Sequence, residues 1–375
     1  MQIRKWKSGN FLVFLLTAQF ITCITVVLDI PVVRQVIGFL YLSLIPGMII
    51  LRVLKLQNLG LTETILLSLG LSIAFLMLIG VLINELFPLI GVSKPLLLVP
   101  LMTVINTAIF LLGLLSCHIN REGFNIAFTE VSKSSLIIVL FALLPLLSVV
   151  GAMFVNAFNS SLILLLMITT ISALVILSIL SEKLVPSRYY PLALLLIAIA
   201  LLLHTSLISN YIHGRDTHLE FYLFRLTQNN SYWNPAIRHP FLEYNSMNAM
   251  LSVTVFPTIY SVILNISATW MVKIIYPLIL SCLPLGLYRL YHISGFGKKA
   301  AFLATFFFIA NETFFTEILG NTRQIVAELF YVLLFLVLFS RRMNPLSKKI
   351  CFIFFSFALV VSHYTTSYIF MFLIF

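Results

Sequence analysis

Ile65-Leu66-Leu67-Ser68-Leu69-Gly70-Leu71-Ser72-Ile73-Ala74-Phe75-Leu76-Met77-Leu78-Ile79-Gly80-Val81-Leu82-Ile83 is a stretch of 19 residues without one charge, inside an apolar run over 62–84. At about 1.5 Å per residue, such a helix crosses roughly 30 Å of hydrocarbon. Apolar and polar residues do not alternate along it, which excludes a strand of an outer-membrane barrel. Comparable runs lie near 10–28, 35–54, 95–116, 134–154, 161–181, 191–209, 270–290, 299–316, 323–340 and 350–371. Together they predict an all-α, polytopic transmembrane bundle of about 11 spans, a multi-pass protein of the cell membrane in contact with its lipid.

Composition agrees. The chain of 375 residues is 61% hydrophobic and 9% charged, against about 25% charged in soluble domains. The net charge of +11 does not indicate nucleic acid, because no Lys/Arg stripe with interleaved aromatics occurs in any polar segment. Cys23, Cys117, Cys282 and Cys351 lie in or beside apolar runs at unrelated spacings, as small packing residues rather than metal ligands or a disulfide framework. The basic start (Arg4, Lys5, Lys7) and the run after it read as a retained first span, since a cleaved leader has a shorter core.

Charge asymmetry sets the expected orientation. With the N-terminus cytoplasmic, the loops at 52–61, 117–133, 182–190, 289–299 and 341–349 join it on that side, and 16 of the 23 Lys and Arg fall there. Arg34, Lys94, Arg215, Arg225, Arg238, Lys273 and Arg323 remain outside. This arrangement requires that 249–265 does not cross; were it a span, the split would become 11 to 12. Pro257 at its centre removes a backbone donor, so short re-entrant or interfacial helices are expected instead. Eight of the 12 acidic residues and the four glycosylation-type sequons starting at Asn159, Asn229, Asn265 and Asn311 then face outward.

The chain divides into a six-span scaffold, 1–190, and a second half, 191–375, with an external loop over 210–269. In the first half, Ile45-Pro46-Gly47 interrupts the second span and is placed to kink it. The second half gathers ionisable groups at outer helix ends. His213-Gly214-Arg215-Asp216-Thr217-His218-Leu219-Glu220 opens the long loop, and charged groups near lipid are costly unless they face a cavity or partner, which makes such a cluster a functional candidate. If helical, this stretch puts His213, Asp216 and Glu220 on one face; if extended, Asp216, His218 and Glu220 share one and form a candidate divalent-metal set. Thr217 to Glu220 also fits a capping box, and Asp216 after Gly214 fits a turn. Asn234-Pro235 and His239-Pro240 read as turns and Trp233 as an interfacial anchor. Glu312 and Glu317 read equally as solvated helix-end charges, and Gln324 and Glu328 stand at i,i+4 spacing within hydrogen-bond reach. Ser362-His363-Tyr364-Thr365-Thr366-Ser367-Tyr368 is a polar patch that either lines the same external cavity or bridges helices.

The second half resembles the GT-C superfamily of membrane glycosyltransferases. Its shared module has an outward helix, here 191–209, then a long external loop with an early acidic residue, here Asp216. Its second external loop corresponds to Asn311-Glu312-Thr313, Glu317 and Asn321-Thr322-Arg323-Gln324. Across nearly all its length the chain also resembles archaeal multi-pass membrane proteins of a family without an assigned activity. That likeness rests on Leu251-Ser252-Val253-Thr254-Val255-Phe256-Pro257, Lys273-Ile274-Ile275-Tyr276-Pro277 and Arg323-Gln324. The GT-C likeness implies a transferase using a polyprenyl-phosphate-linked sugar at the external face. Asp216 would be its base, with Glu220, Glu312 and Glu317 as further acids. Arg215, Arg225 and Arg323 would hold phosphate through their planar forks, with His363 and Tyr364 beside the substrate. That module continues through further spans, so an end at Phe375 makes a truncated or compact relative the expectation. The competing classes are a transporter or lipid-carrier translocator, which places ionisable groups at the midplane of broken helices, and a structural membrane subunit. Walker A, zinc-protease and nucleophile-elbow motifs are absent from the sequence.

Overall fold

The computed structural model describes residues 2–6, 8–56, 59–120, 124–128, 135–237 and 245–374. His239-Pro240 lies outside them. The protein is an all-α polytopic bundle. The first half supplies α1 (Ser8–Val27), α2 (Val33–Val53), α3 (Leu61–Leu86), α4 (Leu98–Ile119), α5 (Ser135–Phe158) and α6 (Leu162–Leu180). The second supplies α7 (Tyr190–Leu207), α8 (Arg215–Asn230), α9 (Val255–Leu264), α10 (Ala268–Trp270), α11 (Tyr276–Leu280) and α12 (Leu283–Ile293). It ends with α13 (Lys298–Ala310), α14 (Glu312–Phe315), α15 (Thr322–Phe339), α16 (Pro345–Val360) and α17 (Tyr364–Ile374). One small ribbon pairs β1 (Gln2–Trp6) antiparallel with β2 (Phe124–Phe128). Among the described residues, nine helical runs are long and apolar enough to cross a membrane.

Helix α3 is the axis of the bundle, with 72% of its apolar window buried. Small residues let its neighbours approach: a Cβ on Gly47 would overlap the Ser68 carbonyl, and one on Gly80 would overlap Val255. Pro46 stands inside α2 without ending it, and the Gly47 amide donates to Ser72 Oγ at 2.8 Å. Close backbone contact and interhelical hydrogen bonds replace hydrophobic attraction where lipid is the solvent.

Two sets of contacts define two faces. On the N-terminal face, Glu63 pairs with Arg289 at 2.8 Å and Arg342 at 3.6 Å, Lys299 pairs with Glu182 at 3.4 Å, and Ser347 Oγ donates to the Leu54 carbonyl. On the opposite face, the Trp233 amide donates to Asn84 Oδ1, and the Leu96 amide to the Ser231 carbonyl. The segment around α9 begins and ends on this second face. Asn248 Nδ2 donates to the Asn234 carbonyl before it; after it Asn265 Nδ2 donates to Asp29, and Arg34 donates to the Ile263 and Val262 carbonyls. A helix of 10 residues reaches only about 15 Å, so α9 does not traverse the bundle and lies buried in that half of it.

Three apolar runs differ from a simple span. The run 350–371, expected as one crossing, is a hairpin: Phe370 of α17 lies 6.0 Å from Phe352 of α16 and 6.1 Å from Phe335 of α15. In one continuous helix, Phe352 and Phe370 would stand about 27 Å apart. The chain reverses at Val361–His363, where the Ser362 and His363 amides return to the Leu359 carbonyl. The run 270–290 is broken into α10, a π-turn over Met271–Ile275, α11 and α12. The run 299–316 ends early, with α13 stopping at Ala310 and Asn311 capping α14 through Thr313 N.

Candidate functional site

Helix α7 delivers the chain to the face opposite the N-terminus, and α8 lies across that face. The buried residues of α8, Thr217, Glu220, Leu223, Phe224 and Thr227, recur at three- and four-residue intervals, the pattern of a helix with one covered side. Its N-cap is Gly214, at φ +96°, where a side chain is rarely tolerated. A Cβ there would also overlap the Gly320 backbone. That contact brings the start of the 213–220 stretch against the turn before α15, uniting the two loops that carry the acidic residues.

Across this junction the charges pair. Arg323 Nη2 donates to Asp216 Oδ2 at 2.7 Å, and its Nε stands 3.4 Å from Glu220 Oε1. Glu220 Oε2 accepts from the Thr322 amide at 2.7 Å and from Thr322 Oγ1 at 2.5 Å. Glu220 is 1% exposed and Arg323 5%, whereas the Asp216 side chain is 40% exposed. The guanidinium therefore bridges a buried carboxylate and an accessible one. Burial pushes the Glu220 carboxyl above its ordinary range, and the Thr322 hydrogen bonds and the Arg323 charge only partly offset this. Arg323 Nη1 is buried and has no hydrogen-bond partner among the described residues.

His363, in the turn between α16 and α17, belongs to the same electrostatic cluster. Burial, then the Arg323 charge, push its imidazole down to about 4, while Asp216 acts in the other direction. Its Nδ1 accepts from the Thr366 amide at 3.2 Å, so the neutral ring carries its proton on Nε2. Tyr364 stacks on it at 5.4 Å and is exposed. The turn is fixed from below by Leu251 N on the Val361 carbonyl and Ser252 Oγ on the Ser362 carbonyl.

Of the residues singled out in the sequence, Asp216, Glu220 and Arg323 meet here, and His363 lies within range of the Arg323 and Asp216 charges. Arg215, His218, Arg225, Glu312 and Glu317 are exposed and enter none of the cluster's hydrogen bonds. The capping-box reading of Thr217 and Glu220 is corrected: α8 begins at Arg215, and Glu220 turns its carboxylate to Thr322. The metal set Asp216, His218 and Glu220 required an extended chain. In the helix His218 points about 200° from Asp216, and among the described residues no group of three His, Cys, Asp or Glu could hold a metal ion. Gln324 Nε2 does donate to Glu328 Oε1, at 3.3 Å. Thr322, which the sequence offered only as part of a loop motif, is the chief partner of Glu220; its place after the N-cap Asn321 was the available signal. Compared with known proteins, no family model, no curated protein and no solved structure matches this chain.

Proposed function

We propose that the second half holds a transferase centre that moves a sugar from a polyprenyl-phosphate carrier to an acceptor hydroxyl at the face opposite the N-terminus. The observation that carries this reading is the meeting of Asp216, Glu220 and Arg323, drawn from α8 and α15, at one end of the bundle, with His363 of the α16–α17 turn within range of the Asp216 and Arg323 charges. Asp216 is the accessible carboxylate. Its Oδ1, outside the Arg323 hydrogen bond, accepts the acceptor's proton as the acceptor oxygen bonds to the sugar's anomeric carbon. The anomeric C–O bond breaks, and its electron pair stays on the carrier phosphate. Arg323, held beside Asp216, brings a positive charge that suits the growing negative charge on that phosphate. Glu220 and Thr322 hold Arg323 in place rather than touch the reacting atoms.

The test is transfer by reconstituted protein from radiolabelled polyprenyl-phosphate hexoses, offered singly with a panel of hydroxyl acceptors. Asp216→Asn is expected to lower the rate roughly 100- to 10,000-fold while membrane insertion and Arg323 pairing persist. Undiminished transfer in that variant sinks the assignment. The second reading is a non-catalytic membrane protein, a translocator or structural subunit, in which Arg323 only clamps α8 to α15. The hydrogen bonds that tie Arg323 to Asp216 and Thr322 to Glu220 across the α8–α15 junction favour it, and it predicts no transfer from any carrier by the unaltered chain.

A further inference from the structure

A cavity of about 690 Å³ lies between α5, α7 and the segment 267–274, with Ser209 and Asn210 on its wall. Its deeper wall is apolar, formed by Val149, Met153, Leu203 and Leu207, and Met153 is itself largely exposed. Its far end is polar, where Asn210 and Thr269 stand beside Lys273. The position matches a bilayer boundary: Asn156 Nδ2 donates to the Leu207 carbonyl at the last turns of α5 and α7. One end of the cavity therefore suits an acyl chain and the other a headgroup.

Lys273 is the decisive residue. Only 4% exposed, it sits in the π-turn Met271–Ile275, a helix irregularity frequent at functional sites. Its ammonium donates to the Ser209 and Tyr211 carbonyls, and it takes part in none of the ion pairs among the described residues. Two carbonyls use two of three donors and cancel no charge. A cation beside hydrocarbon is costly, and carbonyls solvate it without neutralising its charge, so an anion is the stronger partner. We propose that this cavity binds one anionic, phosphate-headed membrane lipid, its phosphate on the third N–H of Lys273 and its chain along Val149, Met153, Leu203 and Leu207. The site stands apart from the transfer reaction, because neither Asp216 nor Arg323 lines it.

The test uses the purified full chain, delipidated in detergent and titrated with phosphatidylglycerol or phosphatidylcholine under native mass spectrometry. The unaltered chain is expected to hold one phosphatidylglycerol at least about tenfold more tightly than phosphatidylcholine. Lys273→Met should remove that preference. Because this change also frees two carbonyls, Ala152→Trp, which fills the cavity and leaves Lys273 in place, provides a second arm. It should expel the lipid while the Lys273 hydrogen bonds persist. Equal binding of both lipids, or phosphatidylglycerol retained in both variants, overturns the proposal. So does displacement of the lipid by millimolar glycerol phosphate, which would mean a free-phosphate site. Asp216→Asn should leave lipid retention unchanged, which separates this outcome from failure of the transferase reading.

Discussion

Replacing Glu220 by Gln should change how the protein's stability depends on pH, and the sign follows from the site. A carboxyl whose folded pKa lies above its ordinary value of 4.5 binds its proton more tightly in the folded state than in the unfolded one. Below 4.5 both states are protonated and burial is not opposed by charge. As pH rises from 4.5 to the folded value, the unfolded state releases its proton first. Stability should then fall by up to about 1.4 kcal/mol per pH unit, levelling off above the folded pKa. Glutamine keeps an oxygen that accepts from Thr322 N and Oγ1 but cannot ionise, and it loses only the 3.4 Å approach of Arg323 Nε. The measurement is unfolding in bicelles between pH 4.5 and 8, followed by fluorescence of Trp233, which is buried beside Asn84. The stability of the unaltered protein minus that of the variant should decline as pH rises. A flat difference, or one rising with pH, would refute the claim that burial outweighs the Arg323 charge at Glu220.

Two further substitutions test the scaffold of the site. Gly214→Ala places a side chain at φ +96° and against the Gly320 backbone, so it should destabilise by about 1–3 kcal/mol of backbone strain and a similar amount of overpacking. Gly295→Ala, at φ +98° with open space around it, should show the strain alone; equal thermal unfolding shifts for the two would remove the argument that the loops are in contact. Arg34→Met removes the donors to the Ile263 and Val262 carbonyls at the end of α9, at about 1–3 kcal/mol for each buried acceptor left unpaired. Hydrogen exchange at the Ile266 amide should accelerate, while exchange within α6 stays as it was.

The general architecture was legible because lipid leaves the backbone so few solutions: long uncharged runs must be helices, and the structure is an all-α polytopic bundle. Pro257 and the charge balance spoke against a crossing at 249–265, and α9 is a short buried helix whose flanks are both held at one end of the bundle. Direction within an apolar run was not legible. Hydropathy measures length, so 350–371 reads as one span, whereas the Ser362 and His363 amides close a turn on Leu359 that exists only once α17 packs on Phe352. Thr217 and Glu220 met a local capping rule, but Thr322, 102 residues away, supplies two donors to one buried oxygen and draws the carboxylate to itself. The helical alternative that put Asp216 and Glu220 on one face is the one adopted. Their common partner could not be derived from spacing, because Arg323 reaches them through the fit of Gly214 against Gly320.

The central claim is that the 213–220 stretch and the 311–323 segment share one face of the membrane, opposite the turn at Lys298. In a chain with Cys23, Cys117, Cys282 and Cys351 replaced, His218→Cys, Glu312→Cys and Lys298→Cys each place one thiol at an exposed position. A membrane-impermeant maleimide applied to sealed, oriented vesicles should label positions 218 and 312 from the same side and position 298 only from the other. Labelling of 218 and 312 from opposite sides would contradict the account.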